Sequence, residues 1–287
     1  MSAVLAARRR QLIRATAERS LTRRRLTGRL AQGLCTVAAL AAVAPLATLL
    51  YYTISRGAGA LSWGFLVNAP TPPEIPGGGI STAIVGSAEI VGLALVLAIP
   101  TSLLAALFLF ERAGRLAAAL RFSADVLTGV PSIIIGIFAY AVLVLPLHQF
   151  GILAAAFALA VLMLPIMIRA DEEAMRTIAL DLWEAGIALG ARRGRVARSV
   201  VLRGALPDLV TGNLLAIARA VGETAPLLFT LATPFAAMTL LIYTDGTQAF
   251  GAAQRTAWAT ALVLLAFVLL LSVAARLAAW RISRRAH

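Results

Sequence analysis

Two ionisable residues and a proline interrupt the apolar stretch from residue 216 to residue 230, AIARAVGETAPLLFT. Arg219 and Glu223 are four residues apart, so in a helix they project from the same face and can form an ion pair. Ionisable side chains at membrane depth usually pair, and they usually face protein or a water-filled path. Arginine is also the side chain best shaped for two-point contact with a phosphate-like anion. Two interpretations follow: an anion path that includes Arg219, Glu223 and Thr224, or a structural ion pair between helices.

The same stretch is predicted to contain a helix break at Gly222 and Pro226. A proline removes the backbone hydrogen bond to the carbonyl four residues earlier, here that of Gly222, and its ring crowds that carbonyl. We expect Glu223 or Thr224 to satisfy the freed backbone groups and a second half-helix to begin at Pro226. The N-terminus of a half-helix attracts anions, whereas a plain packing kink is also common in membrane helices.

The elements that position these residues are predicted to be membrane-spanning helices. The 287-residue chain is 60% hydrophobic, and its mean hydropathy is +0.88. Soluble domains are roughly 45–50% apolar, and several windows here reach the roughly 20 apolar residues that a span needs. We predict an all-α polytopic membrane protein with six transmembrane helices, at about 31–54, 80–110, 122–147, 151–168, 209–234 and 256–279.

The arginines indicate the orientation of the chain. All 26 basic residues are arginine, the net charge is +13, and nearly all the arginines lie in segments 1–29, 111–121, 169–208 and 276–287. Basic residues accumulate on the cytoplasmic side of membrane proteins, so both termini are predicted to be cytoplasmic. The same rule explains the charge without any nucleic acid, and the basic N-terminal tail is expected to meet anionic membrane lipid.

These patterns divide the chain into five parts. They are an arginine-rich cytoplasmic tail (1–30), a first transmembrane helix (31–54), an extracytoplasmic Pro/Gly-rich connection (55–79), a five-helix core (80–280) with a cytoplasmic loop at 169–208, and a short cytoplasmic tail (281–287). Two acidic residues in the predicted spans have less distinctive settings. Glu89 has no partner that the sequence identifies, and Asp125 is expected to be exposed at the cytoplasmic interface.

The cytoplasmic loop contains Glu184, Ala185 and Gly186, followed after three residues by Gly190. This spacing resembles the EAA motif of binding-protein-dependent (MetI-like) ABC importer permeases, with Gly186 in place of the second alanine and no proline at position 203. The segments MLPIMIRADEEAMRTIALDLWEAGIALGARR, LLAIARAVGETAPLLFT and QRTAWATALVL resemble the A-type permease of phosphate-specific importers. With GGISTAIVGSAEI and GVPSIIIGIFAY, the resemblance covers roughly residues 78–280.

The resemblance implies a type I ABC importer permease core that imports inorganic phosphate across the cytoplasmic (inner) membrane of a bacterium or archaeon. It implies four kinds of partner: a second, C-type permease, two ATPase subunits, a phosphate-binding protein and the phosphate ion. The stretch from Glu184 to Gly190 is implied to dock in a groove on an ATPase subunit and to transmit its motion to the spans.

The residues also limit what the chain does alone. A P-loop ends in a lysine followed by serine or threonine, and this chain has no lysine, so ATP and Mg²⁺ are expected on a partner subunit. His148, His287 and Cys35 form no ligand cluster, so we predict no catalytic residue, metal or bound cofactor. Two alternatives stay open: a permease for another oxyanion (sulfate, molybdate or phosphonate), and an ion-coupled secondary transporter that uses Arg219 and Glu223.

Overall fold

The computed structural model describes residues 2–71, 78–177 and 180–284, and within them every regular element is a helix. The α-helices are α1 (Ser2–Gly57), α2 (Trp63–Val67), α3 (Ser81–Glu111), α4 (Arg115–Thr128), α5 (Ser132–Ala139), α6 (Leu145–Leu147), α7 (Ile152–Arg176), α8 (Leu180–Ala188), α9 (Arg193–Val196), α10 (Leu202–Val221), α11 (Ala225–Thr230), α12 (Met238–Gly246) and α13 (Gly251–Arg284). Two π-helical turns, Tyr140–Val144 and Ala197–Val201, join α5 to α6 and α9 to α10.

Five stretches of these helices are long and apolar enough to cross a membrane: Thr27–Ala60, Ser81–Glu111, Ile152–Arg176, Arg193–Val221 and Gly251–Arg281. A sixth span results if Arg115–Thr128 and Ser132–Leu147, which meet at an angle of 105°, count as one. The predicted all-α polytopic class is therefore confirmed, and the predicted count of six depends on this bent pair.

The third span differs from its prediction. A single helix was expected over 122–147, but α4 begins at Arg115 and stops at Thr128, and α5 begins only at Ser132. The reason is local, because a proline at 131 disfavours helical backbone at the residue before it. Pro131 itself is extended, with ψ at 134°, and α5 starts afresh behind it.

The fifth span also differs, since it runs over Arg193–Val221 rather than 209–234. Its first half carries arginines, which the sequence interpretation assigned to a polar loop. Its buried apolar positions, Ala197, Val201, Ala205 and Leu209, recur every four residues, a longer period than the 3.6 residues of an α-helix. The π-turn at Ala197–Val201 supplies the extra residue, so the arginines stay on the exposed side.

The chain divides into two units, residues 1–55 and residues 56–287. The first unit is helix α1, which covers both the predicted tail and the predicted first span. Within it the hydroxyls of Thr36 and Thr48 donate to the carbonyls of Gln32 and Ala44, so these polar groups are satisfied inside an apolar helix. Residues 72–77, 178–179 and 285–287, which belong to the predicted connection, loop and C-terminal tail, lie outside the described residues.

The second unit is a bundle in which α7 lies at the centre, against α3, α4, α5, α10 and α11. Small residues allow this close packing. For example, a Cβ added at Gly212 of α10 would lie 2.8 Å from the Cβ of Ala170 in α7. We call the end of the bundle that holds α8, α9 and the C-termini of α3 and α7 the α8 end.

Candidate functional site

The structure places a helix break at Gly222 and Pro226. Helix α10 ends at Val221, and α11 begins at Ala225 with Pro226 in its first turn. The last turn of α10 is tight: the N–H of Gly222 donates to the carbonyl of Arg219 at 3.2 Å, and the N–H of Glu223 donates to the carbonyl of Ala220 at 3.1 Å.

The break lies about halfway along the central helix α7. Towards the α8 end, the amide nitrogen Nδ2 of Asn213 donates to Oδ1 of Asp171 at 2.6 Å. At the other end, the N–H of Gly151 donates to the carbonyl of Thr230 at 3.0 Å. Residues 222–224 fall between these two contacts, level with the middle of α7 and just beyond the end of the fifth span at Val221.

At this depth Arg219 and Glu223 form an ion pair that is open on one side. The Nε of Arg219 lies 3.6 Å from Oε1 of Glu223, and the two side chains are 52% and 19% exposed. One turn earlier, Leu215 on the same face of α10 is 71% exposed. A half-exposed arginine in an apolar helix bundle requires water or another protein surface beside it.

Two expectations about the break need correction. Thr224 precedes α11, but its side chain makes no capping hydrogen bond, so this hydroxyl does not satisfy the first N–H groups of α11. Helix α11 has only six residues, so few peptide dipoles add up at its N-terminus. Positive charge at the break therefore comes from Arg219 rather than from a helix end.

Helix α5 holds the break in place, a contact that the sequence interpretation missed. A Cβ added at Gly136 would lie 2.7 Å from the Cα of Pro226 and 3.2 Å from the ring of Phe229. Only glycine allows the two backbones to approach this closely. Gly136 was visible in the segment GVPSIIIGIFAY, but nothing in the sequence said which helix it meets.

The four residues of the EAA-like motif lie on and just after α8. Glu184 and Ala185 are exposed, and Gly186 is half-buried. Gly190 ends the segment with a left-handed φ of 81°. The N–H of Gly190 donates to the carbonyl of Ile187 at 2.8 Å, and the N–H of Ala191 donates to the carbonyl of Gly186 at 3.2 Å. This is the Schellman arrangement, in which glycine is favoured at the left-handed position.

The structure explains why position 186 is glycine. A Cβ added there would lie 3.0 Å from both γ carbons of Val196 in α9, so the second alanine of the EAA motif would crowd Val196 at this position. On its inner side, α8 is anchored by Trp183, whose ring meets that of Phe110 edge-on at 5.4 Å. On its outer side Leu189 is 88% exposed, which leaves an open surface at the α8 end.

An ion-pair network between α4 and α7 was not predicted. Glu172, whose side chain is only 4% exposed, accepts from Nε of Arg121 at 2.7 Å and from Nη2 of Arg176 at 2.8 Å, and Nη1 of Arg169 lies 3.3 Å from its other oxygen. Arg169 also donates to Asp125 through Nε at 2.8 Å. Asp125 thus links α4 to α7 and is not only an exposed interfacial carboxylate. The spacing of arginine and acidic residues in RADEEAMR was the sequence feature from which the network could have been predicted.

A cavity of about 520 Å³ lies at the end of the bundle opposite α8. Its polar wall consists of Ser81, Thr82, Glu89 and Thr233. Glu89 therefore faces a cavity with hydroxyl groups rather than the packed core. Within the residues that the structure describes, no group of three or more His, Cys, Asp or Glu side chains is placed to hold a metal ion.

Residues 98–285 match a protein family described as "Binding-protein-dependent transport system inner membrane component". This match spans about two thirds of the chain. The chain belongs to this family.

Two similar members of the family are phosphate transport system permease proteins PstA. The one from Yersinia pestis is 35% identical over 240 residues, which cover 79% of this chain and 81% of that protein. The one from Haemophilus influenzae is 36% identical over 267 residues, which cover 88% and 94%.

A solved ABC transporter has a similar fold. An inward-facing structure of the MetNI methionine ABC transporter matches with a TM-score of 0.57 at 22% identity, over 72% of this chain and 96% of that chain. The chain is therefore a multi-pass transport permease of the binding-protein-dependent family. The family match includes the EAA-like segment and the break at Gly222.

Proposed function

We propose that this chain is the permease subunit of an ATP-driven importer for inorganic phosphate. The observation that carries the proposal is the half-open Arg219–Glu223 pair beside a helix break that lies level with the middle of α7. The identity of the substrate is inferred from the similarity to phosphate transport system permeases over most of the chain.

The geometry of the pair suggests how an anion passes. At 3.6 Å the two side chains attract each other, but the distance exceeds that of a hydrogen bond, so guanidinium donors of Arg219 remain available. A phosphate group offers two oxygens to such a fork. We infer that the anion takes over Arg219 while Glu223 holds the guanidinium in place between transport cycles, and that the hydroxyl of Thr224 lines the same path.

The coupling machinery lies at the α8 end. We infer that the exposed side of α8, with Glu184 and Ala185, docks on an ATPase subunit that binds ATP and Mg²⁺, while Gly186 and Gly190 give the segment its shape. From Arg193 to Val221 the helix is continuous over 29 residues, or ~43 Å at the usual rise. It links the α8 end to Arg219, so movement at α8 is transmitted to the pair in an alternating-access cycle.

The remaining partners follow from the same proposal. The open face of α10 at Leu215 and Arg219 meets a second, C-type permease or the water-filled path between the two chains. A phosphate-binding protein delivers the ion at the end opposite α8, and two ATPase subunits act at the α8 end. We infer from the arginine distribution that the α8 end and both termini face the cytoplasm and that the membrane is the cytoplasmic (inner) membrane.

The test is radiolabelled phosphate uptake in cells that lack this chain and then receive a variant of it. We expect Arg219→Ala to abolish uptake while the complex still assembles and hydrolyses ATP. Arg281→Ala, which removes an exposed arginine near the end of α13, is the matched control and should transport normally. Failure of Arg219→Ala to assemble would instead identify a structural ion pair.

Two further measurements separate the alternative substrates and mechanisms. Excess unlabelled sulfate, molybdate or phosphonate should leave phosphate uptake unchanged, because the relatives are phosphate permeases. Uptake that persists without any co-expressed ATPase would favour an ion-coupled secondary transporter and would contradict the proposal.

A further inference from the structure

Five exposed arginines follow α8 within twelve residues: Arg192, Arg193, Arg195, Arg198 and Arg203. Four of them, all except Arg193, line one cavity of about 530 Å³ together with Gly194 and Ser199. We call this feature the arginine cavity. No carboxylate is among its lining residues, and none of the ion pairs between described residues involves these five arginines.

The cavity results from the π-turn at Ala197–Val201. This turn keeps Val196, Ala197 and Val201 buried against the bundle. The side chains between and beside these buried positions therefore point away from it. The hydroxyl of Ser199, which also lines the cavity, donates to the carbonyl of Arg195 at 2.6 Å. π-Turns inside helices frequently occur at functional sites.

The charge of the cavity contrasts with that of the α4–α7 network. There, Arg121, Arg169 and Arg176 surround Glu172, and Arg169 also binds Asp125. In the arginine cavity four guanidinium groups gather, and the described residues that line it include no such counter-charge. Closely spaced like charges repel one another and raise the local concentration of counter-ions, so the cavity attracts an anion.

We propose that the arginine cavity is a binding site for a phosphate group, separate from Arg219 in the span. A guanidinium offers a fork of donors that matches two phosphate oxygens. The four arginines line an open cavity of about 530 Å³, which has room for such a group. The phosphate comes either from free phosphate in solution or from the headgroup of an anionic lipid, since the recognising chemistry is the same.

The position of the cavity gives the bound group a role in coupling. Val196, which packs against Gly186 of α8, lies in the same short segment as Arg195 and Arg198. A phosphate that bridges these arginines stiffens the segment against which α8 rests. Occupancy of the cavity is therefore expected to change how firmly α8 transmits movement to α10.

Arginine labelling tests the site without any variant. The full-length chain is purified into nanodiscs of zwitterionic lipid, phenylglyoxal is added with or without inorganic phosphate, and the modification of each arginine is read by mass spectrometry. We expect labelling of Arg195 and Arg198 to fall about fivefold at saturating phosphate, because a bidentate contact covers the guanidinium. Arg193 lies in the same segment but outside the cavity, so its labelling should not change.

A second arm distinguishes the two sources. Nanodiscs that contain phosphatidylglycerol, without free phosphate, should protect the same arginines if a lipid headgroup is the ligand. Protection in either arm supports the proposal and identifies the source. Absence of protection in both arms overturns it, and protection that appears only when ATPase subunits are added overturns it in favour of a protein contact.

Variants then connect the site to binding. These variants are made in an Arg219→Ala background, which removes the proposed path arginine. There, the double substitution Arg195→Gln and Arg198→Gln should lower the binding of radiolabelled phosphate, or of the anionic lipid, at least about tenfold. The reason is that two guanidinium forks are lost. Arg193→Gln is the control, because it removes one positive charge from the same segment but outside the cavity. Equal binding by the double variant and this control would contradict the proposal.

Discussion

Glu172 shows how this chain keeps several arginines next to its apolar core. Its carboxylate is nearly inaccessible, and contacts from Arg121, Arg169 and Arg176 surround it. The three arginine side chains are themselves 26–54% exposed, so water reaches their outer sides. Loss of the Glu172 carboxylate therefore disturbs the charge balance of the network more than loss of any single arginine does.

We predict that Glu172→Gln destabilises the protein by about 3 kcal/mol, because removing one partner of a buried ion pair leaves uncompensated charge and typically costs 3–5 kcal/mol. The partial exposure of the arginines places the effect at the lower end of that range. Thermal unfolding of the purified chain in detergent measures it. Glu173→Gln removes the neighbouring carboxylate, which is exposed, and should change stability by less than about 0.5 kcal/mol. Similar losses in the two variants would show that the network does not hold α4 to α7.

At the scale of elements, α8 and α9 fit each other through one glycine. Gly186 leaves room for the two γ carbons of Val196, 3.0 Å from where its Cβ would be. An alanine at this position would therefore require the side chain of Val196 to shift by a few tenths of an ångström. The contact sets how closely α8 lies on the helix that leads to Arg219.

We expect Gly186→Ala to weaken coupling, seen as a lower phosphate-stimulated ATP hydrolysis in the assembled transporter. Overpacking of this kind costs about 1–3 kcal/mol, although the alanine also favours the helix by about 1 kcal/mol. Adding Val196→Ala should restore the activity, so that the two substitutions are strongly non-additive. If their effects simply add, α8 and α9 are not coupled through this contact.

The contact between α5 and α11 is tighter, because it brings backbone against backbone. We predict that Gly136→Ala displaces Pro226, since the added Cβ would lie 2.7 Å from its Cα and backbone cannot give way as a side-chain end does. Phosphate uptake should fall at least about tenfold, in keeping with a misplacement of about 1 Å at a working site. Gly129→Ala is the matched control, because its Cβ would meet only the carbonyl of Val126 at 3.5 Å. Normal uptake by Gly136→Ala would remove α5 from the site.

The elements were predictable to different degrees. The membrane helices were predictable from apolar runs of span length, and the helix break was predictable from Gly222 and Pro226. Both features depend on local chemistry. The bend between α4 and α5 did not follow from Pro131, since membrane helices often continue through proline with a kink. The true start of the fifth span at Arg193 was hidden as well. Arginines normally mark loops, whereas here a π-turn keeps them on one side of a helix.

The site was less predictable than the helices, because its contacts join residues far apart in the chain. Spacing alone paired Arg219 with Glu223, four residues away. Nothing local indicated that Gly136 meets Pro226, or that Arg121 meets Glu172 across 51 positions. Such contacts follow from how the bundle closes, which the sequence pattern of a single helix does not contain.

For the whole molecule, the continuous helix from Arg193 to Val221 connects the two ends of the proposed mechanism, and its stiffness is testable. We predict that Leu215→Gly uncouples the transporter, because a glycine in an exposed helix interior weakens the helix by about 1 kcal/mol between the α8 end and Arg219. Leu215→Ala removes the same exposed side chain but keeps the helix stiff, so any effect of lost contact with a neighbouring chain is common to both variants. Phosphate imported per ATP hydrolysed should fall severalfold in Leu215→Gly and stay near wild type in Leu215→Ala. If both variants transport equally well, movement reaches Arg219 through α3 and α7 instead, and α10 only carries the arginine.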